Sequence, residues 1–357
     1  MNVFLNNKII DYTKTHIVLE AGPTHNGLKS AKSLVKMAHD SNADSIKFQM
    51  ADVERLMAKN KNVPFKYSYL KKTNKGDIFI EKVEPLSNIL KRRELSKKEW
   101  IELKNYCDEL DIHFFSTACF EDEVDFLVDE LNVDSIKIAS SDITNISFIK
   151  YCAKKKINIQ IDTGSADLWE IEKAVIAIEE ENNSNIIIHH CPSGYPARLQ
   201  SINLKMITTL KQMFPNYLIA FSDHTKGWEM DIAAVTLGAG MIEKTITENK
   251  YFESCEHSFS LEKNEIENFI SSIRNLEIAL GDARRIFPKE EKLKRKNTRR
   301  SPYALRDIEI GEKIKYKDIE FKRPQDGISD EELSFYLDSS LTKKIKKGQV
   351  ISKDLFH

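Results

Sequence analysis

Residues 134–140 read DSIKIAS and residues 44–49 read DSIKFQ, so the chain twice sets a lysine inside a short apolar run that begins with Asp-Ser. Runs of about four to eight residues, rich in Ile, Val or Phe, are typical of parallel strands that are buried on both faces. Six further runs of this kind occur along the chain. The eight are HIVLEAG (16–22), DSIKFQ (44–49), IHFFST (112–117), DSIKIAS (134–140), INIQIDTG (157–164), NIIIHHC (185–191), NYLIAFSD (216–223) and MIEKT (241–245).

Amphipathic helical patterns lie between these runs. Ser96 and Glu99 have the spacing of a capping box, and an apolar stripe follows them as far as Leu110. Similar stripes run through 168–178 and 266–276. Eight strands alternating with helices predict a (β/α)8 TIM barrel. A doubly wound open sheet is the alternative, but no Gly-x-Gly-x-x-Gly follows the first run.

The composition shifts after the last stripe, which predicts a second domain. We expect a TIM-barrel catalytic domain over 1–282, a basic linker over 283–300 and a small β-rich domain over 301–357. Seven of the twelve residues in 289–300 are basic, which is typical of a linker. The charged connection 50–95 is predicted to be a long loop, either functional and partly mobile or simply a solvated excursion.

Several classes of function are disfavoured by composition. Lys and Arg number 54 against 55 Asp and Glu, so no basic field predicts a nucleic-acid partner. No apolar run approaches the roughly 20 residues that cross a bilayer, so no membrane association is expected. Five scattered cysteines without a Cys-x-x-Cys pair predict free thiols in a reducing cytoplasm.

Every predicted strand ends in polar residues, where a TIM barrel carries its active site. Lys47 and Lys137, surrounded by hydroxyls, suit a phosphate or carboxylate dianion. A structural Lys–Glu pair is the plain alternative, and a Schiff-base lysine is another. The strand-end groups are Glu20; Lys47 and Gln49; Ser116 and Thr117; Lys137, Ser140, Ser141 and Asp142; Asp162 and Thr163; His189, His190 and Ser193; Ser222, Asp223 and His224; and Glu243, Lys244 and Thr245.

An ordered series of motifs resembles the sialic acid synthase family, including its C-terminal antifreeze-like domain. The resemblance covers nearly the whole chain. Its motifs are EAGPTHNG (20–27), KFQ (47–49), FSTAC (115–119), IKIASSD (136–142), TG (163–164), HHCPSGYPA (189–197), FSDHTKG (221–227), RRSPYALRDIEIGEKI (299–314) and KRPQDGIS (322–329).

The resemblance implies a transferase that condenses phosphoenolpyruvate with an open-chain N-acetylated amino sugar, such as N-acetylmannosamine or a 6-deoxy diamino-hexose, to give a nonulosonic acid. It also implies a divalent metal, Mn²⁺ or Mg²⁺, and a domain-swapped homodimer. The implied catalytic residues are Glu20, Gln49, Asp142 and His224, of which His224 would bind the metal. The implied substrate-binding residues are Lys47, Thr117, Lys137, Ser140, Ser193, Tyr195, Ser222, Glu256 and Arg323.

Two departures from the family pattern bear on chemistry. Thr245 stands where the family has its second metal-binding histidine, so His257 is a candidate replacement and Glu256 a candidate sugar contact. Asp162 replaces a serine that touches phosphate, and a carboxylate there repels phosphate. Two alternatives therefore stay open: a Schiff-base pyruvate lyase using Lys47 or Lys137, and a non-catalytic carbohydrate-binding relative.

Overall fold

The computed structural model describes residues 3–5, 8–58 and 63–356, and contains a closed barrel of eight parallel strands. The prediction of a TIM barrel is confirmed, and each strand lies inside a predicted apolar run. In chain order the strands are β1 (His16–Glu20), β2 (Ser45–Gln49), β3 (His113–Thr117), β4 (Ser135–Ile138), β5 (Asn158–Asp162), β6 (Ile186–His190), β7 (Leu218–Asp223) and β8 (Met241–Thr245). Strand β8 pairs with β1, which closes the barrel.

Helices follow the strands and cover the outside of the barrel. Among them, Lys97–Glu109 begins with the predicted capping box, in which Ser96 and Glu99 satisfy each other's backbone N–H groups. The α-helices of this unit are Leu28–Asp40, Val53–Leu56, Leu86–Lys91, Lys97–Glu109, Glu121–Asp125, Ile146–Lys154, Leu168–Glu179, Leu199–Ile202, Met206–Met213, Glu229–Thr236 and Lys263–Leu280. A π-helical turn, Phe126–Glu130, and a 3-10 turn, Ser140–Asp142, complete them.

Alternation along each strand separates two environments. On β2, Ile46 and Phe48 pack outward into the main hydrophobic core, against the helices, whereas Lys47 contacts carboxylates across the lumen. Helix Lys263–Leu280 adds the buried side chains of Phe269 and Ile273 to that core, each worth about 1.5–3 kcal/mol by burial. Polar side chains on the strands thus reach the lumen without interrupting the packing outside it.

The N-terminal end of the lumen is apolar. A short antiparallel hairpin, Val3–Leu5 with Lys8–Ile10, contributes Val3, Leu5 and Ile10 to a buried cluster with lumen residues such as Phe115. This hairpin was not predicted, since strands of three residues are too short to show a period. It packs at the end of the lumen away from the strand tips that carry the polar groups.

The connection predicted as a long loop, 50–95, contains regular structure, so that prediction was wrong. It forms an antiparallel hairpin of two ten-residue strands, Pro64–Thr73 and Gly76–Pro85, between two short helices. Tyr67 on the hairpin packs against Cys255 of the segment after β8. The many Lys and Glu residues on its exposed faces hid the strands from a search for apolar runs. The predicted loop also includes 59–62, which lie outside the described residues.

A second compact unit comprises residues 282–357, after a barrel unit that ends at Gly281. Its own core contains Ile308, Ile314 and Ile345, and its strands Ser301–Ala304 and Ile319–Lys322 pair antiparallel. The predicted basic linker includes a helix, Lys289–Thr298, which begins with Glu290 and Glu291 in its first turn and ends with basic residues. The remaining helical turns are Tyr316–Asp318, Asp330–Ser334 and Lys353–Leu355. His357 and Met1, which end the predicted domains, lie outside the described residues.

No helix in the described part of the chain is both long and apolar enough to cross a membrane.

Candidate active site

Two lysines and two glutamates form the centre of a buried polar cluster at the carboxyl ends of the barrel strands. Lys47 contacts Glu20 and lies 2.9 Å from Glu243 Oε1, while Lys137 Nζ lies 2.7 Å from Glu243 Oε2. All four side chains are at most 5% exposed. The sequence predicted the two lysines as site residues, but it did not identify Glu243 as the carboxylate that joins them. We call these residues, with Asp162 and Ser222, the lumen cluster.

Lys137 has the most crowded ammonium group of the lumen cluster. Its Nζ lies 3.1 Å from Asp162 Oδ1, 3.1 Å from Ser222 Oγ and 3.2 Å from His189 Nδ1, in addition to Glu243. Burial opposes the charge, but Asp162 and then Glu243 outweigh it and raise the pKa of Lys137. Lys137 is therefore a fixed cation at the base of the mouth.

His189 is held as a neutral ring beside Lys137. Burial, assisted by the positive charge of Lys137, lowers its pKa well below the usual value. Its Nε2 lies 2.8 Å from the Gln160 side-chain oxygen and its Nδ1 lies 2.9 Å from Ser222 Oγ. Gln160 was missed by the sequence reasoning; its position two residues before Asp162 on one strand was the available signal.

Lys47 and Glu243 form an ion pair in the lumen cluster, and their pKa values respond differently to burial. Burial lowers the pKa of Lys47, and Glu243 opposes this effect. Burial would raise the pKa of Glu243, but Lys137 and Lys47 reverse the effect and hold it far below the usual range. Glu243 thus stays ionised, and Lys47 is the lysine whose ammonium is more easily deprotonated.

Glu20 is positioned by its own loop. Its Oε1 accepts a 2.6 Å hydrogen bond from Gly22 N–H, and Gln49 Nε2 lies 3.3 Å from Oε2. A Cβ on Gly22 would fall 2.7 Å from both the Glu20 carboxylate and the Gln49 side chain. Only glycine therefore allows the loop to approach so closely, which explains its place in the EAGPTHNG motif.

Residues after β3, β4 and β5 line the neighbouring part of the mouth. Thr117 is buried at the end of β3, and Ser140 and Asp142 lie in the 3-10 turn after β4. A Cβ on Gly164 would lie 3.1 Å from Ser140 Oγ, so the loops after β4 and β5 are in close contact. Burial raises the pKa of Asp142, although Ser141 lowers it in part.

His224, Tyr195 and Ser193 come together in the loops after β6 and β7. The rings of Tyr195 and His224 lie 4.6 Å apart, and His224 Nδ1 lies 3.3 Å from the Pro192 carbonyl oxygen. Ser193 Oγ lies 2.6 Å from Ser165 Oγ. The half-exposed Tyr195 ring thus covers a histidine that was predicted to bind metal.

His257, the candidate replacement for the second metal ligand, contacts a neighbouring threonine. Its Nδ1 lies 2.8 Å from Thr247 Oγ1, and burial lowers its pKa to about 4. The β7–β8 register ends with the pair Asp223–Lys244, and His224 and Thr245 are the residues that follow this pair in sequence. Glu256 has a left-handed backbone (φ 75°), and its carboxylate lies 3.7 Å from Arg93.

These donors do not fit a resident divalent cation. Within 3–5, 8–58 and 63–356, no three His, Cys, Asp or Glu side chains are grouped as a metal ion would require. His224 supplies one imidazole and Thr245 only a hydroxyl, whereas Mn²⁺ and Mg²⁺ sites use several carboxylate, imidazole or water ligands. The requirement for a metal remains a prediction from the resemblance.

The side chains of Asp223, Lys244 and His190, which were expected in the mouth, point away from the lumen. Asp223 and Lys244 form an ion pair that faces helix Glu229–Thr236, where Asp231 lies 3.5 Å from Lys244. They fall outside the lumen because neighbouring residues on a strand point to opposite faces. His190 likewise contacts the Ile202 carbonyl oxygen at 2.6 Å, away from the lumen. Arg323 belongs to the second compact unit, where it is exposed.

The barrel and its polar mouth define a TIM-barrel enzyme with a small appended domain. Residues 34–285 match the model of the NeuB family and residues 299–357 that of the SAF domain. The chain belongs to the NeuB family.

Two relatives of the same name match over more than nine-tenths of their length. The chain is 35% identical to N,N'-diacetyllegionaminic acid synthase of Campylobacter jejuni over 95% of this chain and 99% of that protein. It is 34% identical to the protein of the same name from Legionella pneumophila, over 94% and 92%. The crystal structure of an N-acetylneuraminic acid synthetase from Leptospira borgpetersenii, with citrate, matches with a TM-score of 0.71 and 29% identity over 82% of this chain and 95% of that one.

Proposed function

We propose that this protein condenses phosphoenolpyruvate with an N-acetylated amino sugar to give a nonulosonic acid and phosphate. The observation that carries the proposal is the lumen cluster. In a chain of this family, two buried ammonium groups and the Ser222 hydroxyl converge where the strands end. Such groups suit the phosphate and carboxylate of phosphoenolpyruvate, and they stabilise the charge that develops when phosphate leaves.

In this proposal the new bond joins the methylene carbon of phosphoenolpyruvate to the aldehyde carbon of the open-chain sugar. The aldehyde oxygen becomes a hydroxyl by taking a proton. Water adds to the central carbon, and the C–O bond to phosphate then breaks to leave the 2-keto acid. Glu20, which is fixed by Gly22 N–H, is the proposed acceptor of the water proton. Lys47, Lys137, Thr117, Ser140, Ser193 and Ser222 are the proposed ligands of phosphoenolpyruvate.

We propose a 6-deoxy diacetamido-hexose as the acceptor, ahead of N-acetylmannosamine. The supporting observation is that two relatives covering over nine-tenths of this chain are named N,N'-diacetyllegionaminic acid synthases. Asp142, Tyr195, Gln49 and Glu256 are the proposed sugar contacts. Arg323 would reach the sugar from the second unit of a partner subunit in a domain-swapped homodimer. Light scattering of the purified protein tests whether it is a dimer.

Phosphate release is the test of this function. Wild-type protein should release phosphate only when phosphoenolpyruvate and an amino sugar are both present. Assays in EDTA and in added Mn²⁺ test whether a metal contributes. The comparison is needed because, of the two metal-ligand positions that the family resemblance implies, His224 provides an imidazole and Thr245 does not. Absence of release with N-acetylmannosamine and with diacetamido-hexoses, under both conditions, would refute the proposal and favour a carbohydrate-binding relative without turnover.

A Schiff-base lyase is the second candidate, and one observation favours it. The lowered pKa of buried Lys47 is the property that a lysine nucleophile needs. Its ammonium is nevertheless paired with Glu20 and Glu243, which stabilises the charged form. Borohydride in the presence of pyruvate should leave Lys47 unmodified; a trapped adduct detected by mass spectrometry would support the lyase instead.

A further inference from the structure

Asp162 contacts both Lys137 and Ser222, two of the proposed ligands of phosphoenolpyruvate. Its Oδ1 lies 3.1 Å from Lys137 Nζ and accepts a 3.0 Å hydrogen bond from Ser222 Oγ. Lys137 and Ser222 are almost completely buried, whereas the Asp162 side chain is 13% exposed. Asp162 is therefore the accessible partner of the two groups, at the mouth end of β5.

The charge of the lumen cluster makes this contact unfavourable for an anionic substrate. The cluster contains the carboxylates of Glu20, Glu243 and Asp162 but the ammonium groups of only Lys47 and Lys137. With all five groups ionised, its net charge is −1 before any substrate enters. A phosphate that approaches within about 4 Å of Asp162 meets a repulsion that low dielectric strengthens.

Asp162 also stabilises the buried ammonium group of Lys137, which explains why these two side chains are in contact. Glu243 is shared between Lys47 and Lys137, so Asp162 supplies the remaining negative charge at Lys137. Asp162 is the strongest of the charges that raise the Lys137 pKa. Without a ligand, a buried ammonium with one shared carboxylate would be costly.

We propose that Asp162 is an internal substitute for the substrate phosphate: it occupies Lys137 and Ser222 in the free enzyme and is displaced from them when phosphoenolpyruvate binds. This inference rests on the proposed function for the identity of the ligand. Asp162 is a positioning residue that determines affinity, since it holds two substrate ligands and weakens binding by competing for them.

Equilibrium binding tests this competition without relying on turnover. Phosphoenolpyruvate, and separately inorganic phosphate, is titrated calorimetrically into wild type, Asp162→Asn and Asp162→Ser. Both substitutions remove the charge and retain a polar group. We expect each to tighten phosphoenolpyruvate binding at least tenfold, roughly the effect of one nearby charge, with inorganic phosphate following in parallel. Asp167→Asn, an exposed carboxylate on the same loop, should leave both affinities within about twofold.

The outcomes separate this inference from the proposed function. Unchanged or weaker binding of both ligands in both Asp162 variants would overturn the competition, as would an absence of binding in every variant. A fall in kcat without tighter binding would also overturn it, because that result marks an acid–base role. If wild type binds phosphoenolpyruvate and the variants bind it more tightly, yet no acceptor gives phosphate release, the competition holds and the proposed reaction fails.

Discussion

Two clusters of buried charge lie back to back on β7 and β8, and only one of them faces the lumen. Ser222 and Glu243 are partners in the register and point into the barrel, whereas the next pair, Asp223 and Lys244, points outward. The lumen cluster shares two lysines among three carboxylates and a hydroxyl, and it opens to the mouth at Asp162. Buried charge therefore does not by itself mark a site.

The outer cluster is closed instead. Lys244 contacts Asp223, donates 2.8 Å to the Thr225 carbonyl oxygen and lies 3.5 Å from Asp231, and all three side chains are fully buried where helix Glu229–Thr236 packs on the barrel. Its contacts fix the backbone that leads to His224. We infer that the lumen cluster serves chemistry and that the outer cluster serves the fold.

The largest expected effect is on turnover in the lumen cluster. Lys137→Met retains the length of the side chain but removes the cation, so kcat/KM should fall at least about a thousandfold. The fold should survive, because Glu243 keeps its contact with Lys47 and Asp162 reaches solvent. Steady-state phosphate release and far-UV circular dichroism measure the two effects. A fall of tenfold or less would contradict the functional role of this cluster.

The matching change in the outer cluster should affect the fold. Lys244→Met leaves Asp223 buried without its cation, at a cost of about 3–5 kcal/mol in the free energy of unfolding. Urea denaturation measures the loss, with Lys226→Met on the exposed surface of the following loop as control. Undiminished stability, together with lost turnover, would reverse the roles given to the two clusters.

Acid should not protonate Glu243 or Asp223 first, because the pKa of Glu243 is lowered by Lys137 and Lys47 against burial, and that of Asp223 by Lys244. Burial instead lowers the pKa values of His25 and His257 to about 4, from an ordinary value near 6.5. Between these values the unfolded chain binds more protons than the folded one. The free energy of unfolding should therefore fall by about 2–3 kcal/mol or more as pH drops from about 6.5 to 4.

Urea titrations across that pH range test the histidine effect. His257→Asn preserves a group opposite Thr247 and removes one titrating ring, so it should flatten the pH slope. A slope equal to that of wild type would show that other groups unfold the protein in acid.

The smallest effect is expected at Asp231. Burial and the neighbouring Asp223 raise its pKa well above the usual range, so it is protonated at neutral pH. Asp231→Asn should then change the free energy of unfolding by less than about 1 kcal/mol, whereas Asp223→Asn should cost about 3 kcal/mol or more. Equal losses in chemical denaturation would mean that both carboxylates carry charge.

The barrel could be predicted because each of its strands is buried on both faces and therefore reads as an apolar run. The hairpin Pro64–Thr73 and Gly76–Pro85 could not, since its exposed faces carry alternating charges. The polar residues at the strand ends were predicted to line the mouth together. Because successive residues of a strand point to opposite faces, only some of them face the lumen. Asp223 and Lys244 turn outward for this reason, although the same period could have identified them in advance.

Contacts between distant elements were the part that sequence could not provide. Lys47 and Lys137 were predicted, yet Glu243 joins them across 196 and 106 residues of chain. The partnership of Asp162 with Ser222 depends on how β5 and β7 tilt across the lumen, which no local pattern encodes. The roles of the other predicted site residues remain predictions.

Direct titration of phosphoenolpyruvate tests the central claim that the lumen cluster is the substrate site. Wild type and Lys150→Met, an exposed-helix control, should bind it with the same affinity. Lys137→Met should bind it at least about a hundredfold more weakly while remaining folded. Equal affinity in wild type and Lys137→Met would show that phosphoenolpyruvate does not bind at this cluster and would contradict the account.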